Sequence, residues 1–150
     1  MALPPDLIEL LSEFAAAGVE ALLFGGHAVA VHGRPRFTKD ADLWIGDDPA
    51  NVARACAALE RFGAPRAVIE ALPSAAPLDV LWMGHPPARI DLMKAVPGGD
   101  FAACWSRRLE IEDDGVRVNV VGRDDLVQLK LASGRPQDLE DARMLSRNGG

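Results

Sequence analysis

Apolar residues recur along this chain in two periods, one helical and one alternating. Behind Pro4 and Pro5, Ile8, Leu11, Phe14 and Ala15 follow helical spacing up to Gly18. That pattern predicts a helix with proline in its first turn. Residues 20–24 form a short apolar run that Gly25-Gly26 stops, which reads as a strand. A short helix from about His27 to Val31 and a loop containing Gly33 and Pro35 come next. Residues 39–45, KDADLWI, read as the second strand. Asp47-Asp48-Pro49 opens a helix, since acidic residues and proline suit a first turn, and Val52, Cys56, Leu59 and Phe62 carry it to Gly63. The Ala- and Pro-rich stretch 64–77 has only a helical tendency around 67–71. Residues 78–83 and 89–94 read as a hairpin turning at Gly84-His85-Pro86-Pro87. A helix holding Phe101, Cys104 and Trp105 follows, then a strand over 116–121 with 109–112 as its partner. Helices over 124–132 and about 136–146 finish the chain. Short strands mixed with helices, and no repeat, predict a single domain over 1–150 of the α/β or α+β class, with helices packed on a sheet.

The stretch FGGHAVAVHGRPRFTKDADLWI, residues 24–45, concentrates the candidate chemistry. Successive side chains on a strand point to opposite faces. Asp40 and Asp42 therefore share one face, with Trp44, while Lys39, Ala41, Leu43 and Ile45 take the other. Two carboxylates on one face repel and raise each other's pKa unless a cation joins them. Oxygen ligands of this kind suit Mg²⁺. Gly25 and Gly26 let backbone N–H groups approach an anion closely. Asp91, in RIDLM, points away from Ile90 and Leu92. A carboxylate inside an apolar strand needs a partner or solvent. If its strand lies beside 39–45, three carboxylates converge, enough to hold two metal ions across a phosphoryl or nucleotidyl displacement.

A second constellation lies near the end of the chain. On the helix from Asp124, Lys130 falls near 40° from Leu126, inside the arc of Leu126, Leu129, Val127 and Leu131 at about 100° per residue. Asp138 faces inward on the last helix between Ala142 and Leu145. Lys130 and Asp138 either pair with each other or leave Lys130 to meet a phosphate. Arg135 and Asp141 lie nearby, Asp141 fitting that cluster or the surface. His27 fits a phosphate contact or a local bond at a helix start. His32 and His85 read as surface, Arg34 and Arg36 as a solvated loop or as balance for phosphate charge, and Trp82 and Trp105 as core.

Composition narrows the class. Of 150 residues, 49% are hydrophobic and 25% charged, an ordinary globular balance. A formal charge of −6 and a pI near 5.0 argue against a broad basic face for nucleic acid. Cys56 and Cys104 have no metal-ligand spacing, and a reducing cytoplasm fits them. No signal peptide and no membrane partner are expected, since no apolar run reaches the length of a span.

These motifs in order resemble the DNA polymerase beta-like nucleotidyltransferase superfamily. The matching parts are Gly25-Gly26 after a strand, Asp40 and Asp42 as D-x-D on the next, and Asp91 on a later one. Thirteen residues separate Gly26 from Asp40, within the family's spacing. The tail KLASGRPQDLEDARML, residues 130–145, is similar to small bacterial members related to AbiEii-type toxin nucleotidyltransferases. Many members carry Ser at the position of Gly26, so here only the backbone N–H is offered. The resemblance implies the nucleotidyltransferase fold, with a mixed, mostly antiparallel sheet of about four or five strands and C-terminal helices. It implies an Mg²⁺-dependent enzyme (Mn²⁺ also fitting) that moves a nucleoside monophosphate from an NTP donor to an acceptor. Asp40, Asp42 and Asp91 would be the metal and catalytic carboxylates, with Asp91 as third ligand or proton acceptor. Gly25, Gly26 and Lys130 would bind the nucleotide. The acceptor is a tRNA end, a small molecule or a protein, and a toxin–antitoxin partner protein is a further expectation. The alternative is a non-catalytic, antitoxin-like module with this fold. A glycosyltransferase fits less well, since those domains need a longer chain.

Overall fold

The computed structural model describes residues 3–33, 40–85 and 88–148. Among these, seven α-helices and six strands occur. Helix α1 (Pro5–Ala17) has proline at its start and ends at Gly18 in the left-handed region, where Val19 N–H reaches Phe14 O at 3.0 Å. Strand β1 (Ala21–Phe24) runs straight into α2 (Gly25–Val31), so the short helix begins at the first glycine of the pair. Strand β2 (Asp40–Ile45) and helix α3 (Pro49–Phe62) follow. The Asp48 carboxylate accepts from Asn51 N–H at 3.2 Å and caps α3.

Asn51 has a second task. It is 2% exposed, accepts from Glu20 N–H at 2.7 Å, and donates to Glu20 O at 3.0 Å and Gly46 O at 2.8 Å. One buried amide thus satisfies backbone groups at the start of β1 and just after β2 and fastens both to α3.

The Ala- and Pro-rich stretch is more ordered than its pattern suggests. It holds α4 (Arg66–Ala71) and a 3₁₀ turn over Leu72–Ser74, with Val68, Ile69 and Leu72 buried. Strand β3 (Leu81–Met83) is shorter than the 78–83 run, and β4 (Arg89–Met93) is its antiparallel partner. Helix α5 (Phe101–Ser106), the hairpin β5 (Leu109–Asp113) and β6 (Val116–Val120), and helices α6 (Arg123–Ser133) and α7 (Pro136–Asn148) complete the order.

The strands lie in the order β3-β4-β2-β1-β6-β5. Pairings β1–β2, β3–β4 and β5–β6 are antiparallel, while β1–β6 and β2–β4 are parallel. This is the mixed, mostly antiparallel sheet of a nucleotidyltransferase-like fold, with one strand more than the four or five expected. Ala41, Leu43 and Ile45 bury one face of β2. Helix α1 packs on α3 and β6 there, and α3 on β2. On the other face Trp44 is buried edge-on to Phe24 (6.4 Å) and Phe101 (5.3 Å), and Phe101 stacks on Trp105. No described helix is long and apolar enough to cross a membrane.

Candidate active site

Sheet register assembles the site. Phe24 pairs with Asp42, Asp42 with Asp91, and Asp91 with Trp82. Partners in register share a face, so one row crosses four strands as Phe24, Asp42, Asp91, Trp82. Asp40 heads β2 on that face, opposite Arg89. The parallel pairing of β2 with β4 thus brings the three sequence-predicted aspartates to one side of the sheet.

Asp42 is the most perturbed of them. Its carboxyl is pushed up to about 7, first by burial and then by the negative charges of Asp91 and Asp40, against the smaller pull of Lys130 and Arg135. The carboxylate of Asp91 is engaged by Arg89, whose Nε donates to Oδ1 at 2.7 Å. Among the described residues, no three His, Cys, Asp or Glu side chains stand close enough to hold a metal ion as they are arranged. The donor set nonetheless fits a hard divalent cation. It is all carboxylate oxygen, and a cation beside Asp42 would relieve the repulsion that raises its pKa.

Gly25 meets Asp42 directly. Its φ is +71°, and a Cβ there would overlap the Asp42 carboxylate. The first glycine is therefore required twice, by its left-handed backbone and by the side chain against it. Gly18 also has φ +71° but open space around it, so it isolates the first cost from the second. Gly18→Ala is expected to cost about 1 kcal/mol and Gly25→Ala about 2–3 kcal/mol, by urea titration of both variants. Equal costs would show that Asp42 does not press on Gly25.

A cleft of about 480 Å³ opens over this row. Its lining includes Phe24, Gly25, Asp42, Val80, Asp91 and Met93 from the sheet side, and Lys130, Ser133, Arg135 and Asp138 from the C-terminal helices. Gly26, Asp40 and Trp82 are outside that lining. The Lys130 amine lies 2.8 Å from Asp138 Oδ1 and 3.3 Å from Asp141 Oδ2, so the two inward-facing residues do pair. Arg135 Nε reaches Asp138 Oδ2 at 2.8 Å, and Ser133 Oγ bonds the same oxygen. These partners hold Asp138 down to about 2 despite its burial. Asp141 is fully buried, with Gln137 Nε2 at 3.1 Å.

Other sequence-predicted residues lie elsewhere. His27 is buried, with its pKa lowered by that burial, and shares a small recess with Leu7, Ala41 and Ile90 on the opposite face. His32 is half-buried, its Nε2 2.8 Å from Val121 O. Arg34, Arg36 and Lys39 lie outside the described residues. Trp82, expected in the core, is 51% exposed, because β3 is the edge of the sheet. Arg89 was missed as a site residue. Its signal is legible, since Arg89 and Asp91 are two apart on a strand and share a face.

Comparison with known proteins identifies the family and the fold. Residues 6–145 match the model of a family described as nucleotidyltransferase of unknown function (DUF6036). No curated protein matches the chain. An antigenic nucleotidyltransferase-like protein from Paracoccidioides brasiliensis superposes with a TM-score of 0.57 at 16% identity, over 99% of this chain and 78% of that one. The lincosamide antibiotic adenylyltransferase LnuA, in its lincomycin-bound structure, superposes with a TM-score of 0.55 at 17% identity, over 97% of each chain. At these identities the likeness is one of fold.

Proposed function

The chain belongs to the nucleotidyltransferase family matched over residues 6–145, and on that premise we propose that it transfers a nucleoside monophosphate from an NTP to a hydroxyl-bearing acceptor. The observation that carries this reading is the row Asp42–Asp91 beside Gly25, with the Asp42 carboxyl driven up to about 7 by burial first and by its like-charged neighbours second. A protein fold gains nothing from such a cluster, whereas a cation-dependent phosphoryl site requires one.

Asp40, Asp42 and Asp91 would hold Mg²⁺ or Mn²⁺. When bound, that ion supplies positive charge against the α-phosphate and the departing pyrophosphate. Backbone N–H groups of Gly25 and Gly26 receive the triphosphate oxygens, and the absence of a Cβ at Gly25 lets the chain approach them. Lys130, held from behind by Asp138 and Asp141, presents its amine at the cleft wall as fixed positive charge. The acceptor oxygen bonds to the α-phosphorus while the α–β phosphoanhydride bond breaks. The acceptor proton passes to Asp91, after Arg89 gives up that carboxylate, and pyrophosphate leaves with the bridging oxygen. Positioning and charge provide most of the acceleration. Kinship of the 130–145 tail with AbiEii-type toxins, a toxin–antitoxin partner protein and a cytoplasmic setting belong to the same proposal.

Calorimetric titration of the four NTPs, with and without Mg²⁺, tests the donor half without knowledge of the acceptor. Wild type is expected to bind at least one NTP only with Mg²⁺, and Asp40→Asn/Asp42→Asn to weaken it at least tenfold. A wild type that binds none would favour the alternative, a module of this fold acting through a protein partner.

A further inference from the structure

We propose that the open edge of the sheet at β3 is the acceptor side of the cleft, where Trp82 and Val80 receive a small, phosphate-free hydroxylated molecule with a flat or apolar face. The proposal rests on the transfer reading above and gives its acceptor a chemical class.

The row of four residues has direction. Gly25 adjoins the Asp42 carboxylate so closely that a Cβ would overlap it, and this side is the donor end. Asp91 comes next, and Trp82 lies one strand further out, at the free edge. Neighbouring strands are about 4.8 Å apart, so a molecule resting on the indole has a hydroxyl within reach of Asp91. Alternation gives Val80 the same face as Trp82, and Val80 lines the cleft together with Asp91 and Met93.

Three large apolar side chains within five residues are exposed at this edge, against Leu109, Leu131 and Leu139 elsewhere. Trp82 is 51% exposed, Val80 46% and Leu78 67%, in a chain that buries Trp44 to 1%. Val80 lines the cleft itself, and Trp82 lies beside it on the same face of the sheet, so the two make an apolar wall next to Asp91. The Arg89 guanidinium stands 4.8 Å from the Trp82 ring centre while its Nε holds Asp91. Arg89 thereby links the aromatic platform to the carboxylate that takes the acceptor proton.

Charge selects the class of acceptor. Among the described residues at the cleft, Arg89 faces Asp91, Lys130 faces Asp138 and Asp141, and Arg135 faces Asp138. Each of these cations already serves a carboxylate, and the one assigned to phosphate, Lys130, serves the donor, which leaves little positive charge for the phosphates of an RNA strand. The carboxylates instead favour a neutral or cationic molecule, and stacking on tryptophan favours a flat one.

The test supplies α-³²P-labelled NTPs and Mg²⁺ to the whole chain with three fractions of a bacterial extract: molecules below about 1 kDa, total RNA and total protein. Label is expected in the small-molecule fraction. Trp82→Ala is expected to raise the acceptor concentration for half-maximal labelling at least tenfold, with calorimetric NTP affinity within twofold of wild type. Trp82→Phe should recover most of the loss, which a merely structural role would not require. Label in RNA or protein overturns the proposal, as does a Trp82→Ala variant equal to wild type. No label in any fraction, with NTP binding intact, also overturns it. Loss of NTP binding in the wild type instead brings down the transfer reading beneath it.

Discussion

In metal-free buffer at pH 8, Asp42→Asn is expected to melt about 4–8 °C above the wild type, and with Mg²⁺ it is expected to transfer no nucleotide. The carboxyl stands at about 7 in the folded chain against an ordinary 3.8. A raised carboxyl pKa means that the folded state holds its proton more tightly than the unfolded state. Stability from this group is therefore fully present below about 3.8 and is lost as pH rises towards 7 and beyond. Above that pH the wild type carries the whole penalty of a buried, repelled charge. Each pH unit of the displacement is worth about 1.4 kcal/mol, and with solvent reaching the cleft the expected gain is about 2 kcal/mol. Asparagine keeps the shape and removes the charge. The advantage of the variant should shrink from pH 7 to pH 4 and vanish below. Thermal melts of both proteins across that range, in chelator, provide the check. A variant that melts lower than wild type at pH 8 would make Asp42 a structural residue and remove the main support of the catalytic reading.

Lys130→Met is expected to lose about 3–5 kcal/mol, the largest stability effect of any substitution considered for this chain. The Lys130 amine pairs with two carboxylates inside the protein, Asp138 at 2.8 Å and the fully buried Asp141 at 3.3 Å. Without it, Asp141 loses a cation in a place where water cannot replace it. Asp138 suffers less, since Arg135 and Ser133 remain on it. Replacing the pair together, Lys130→Met/Asp141→Leu, should recover more than half of the loss, because it removes a buried charge together with its cation. Guanidinium unfolding of the three variants tests this, and a single variant within 1 kcal/mol of wild type would refute it. The same network predicts acid sensitivity. Asp138, held at about 2, contributes stability above its ordinary pKa that is lost as pH falls from 4 towards 2.

Much of the site is legible in the sequence because it depends on short-range periods. Alternation on 39–45 gives Asp40 and Asp42 a common face, and the helical period turns Lys130 and Asp138 inward, where they meet. The glycine pair marks the turn from β1 to α2. Other features carry no local signal. Asn51 is a polar residue on a helix, and nothing nearby in the chain says that it closes the backbone at the start of β1, thirty-one residues away, as well as that after β2. Trp82 has the composition of a core residue and is exposed because, among the described residues, no strand pairs beyond β3. The helix at 66–71 lies in a stretch whose alanines and prolines hide a buried triplet, Val68, Ile69 and Leu72.

By itself, the sequence determined which side chains share a face, where most of the helices and strands lie, and the acidic balance that any partner must meet. These follow from backbone geometry and from charge, both of which act within a few residues. Only the tertiary structure decided that β4 lies beside β2 in a register matching Asp91 to Asp42, that Arg89 occupies Asp91, and that Trp82 ends at an open edge. Strand order and register are settled by packing between segments about fifty residues apart, where hydrophobic burial across the whole sheet outweighs any local preference.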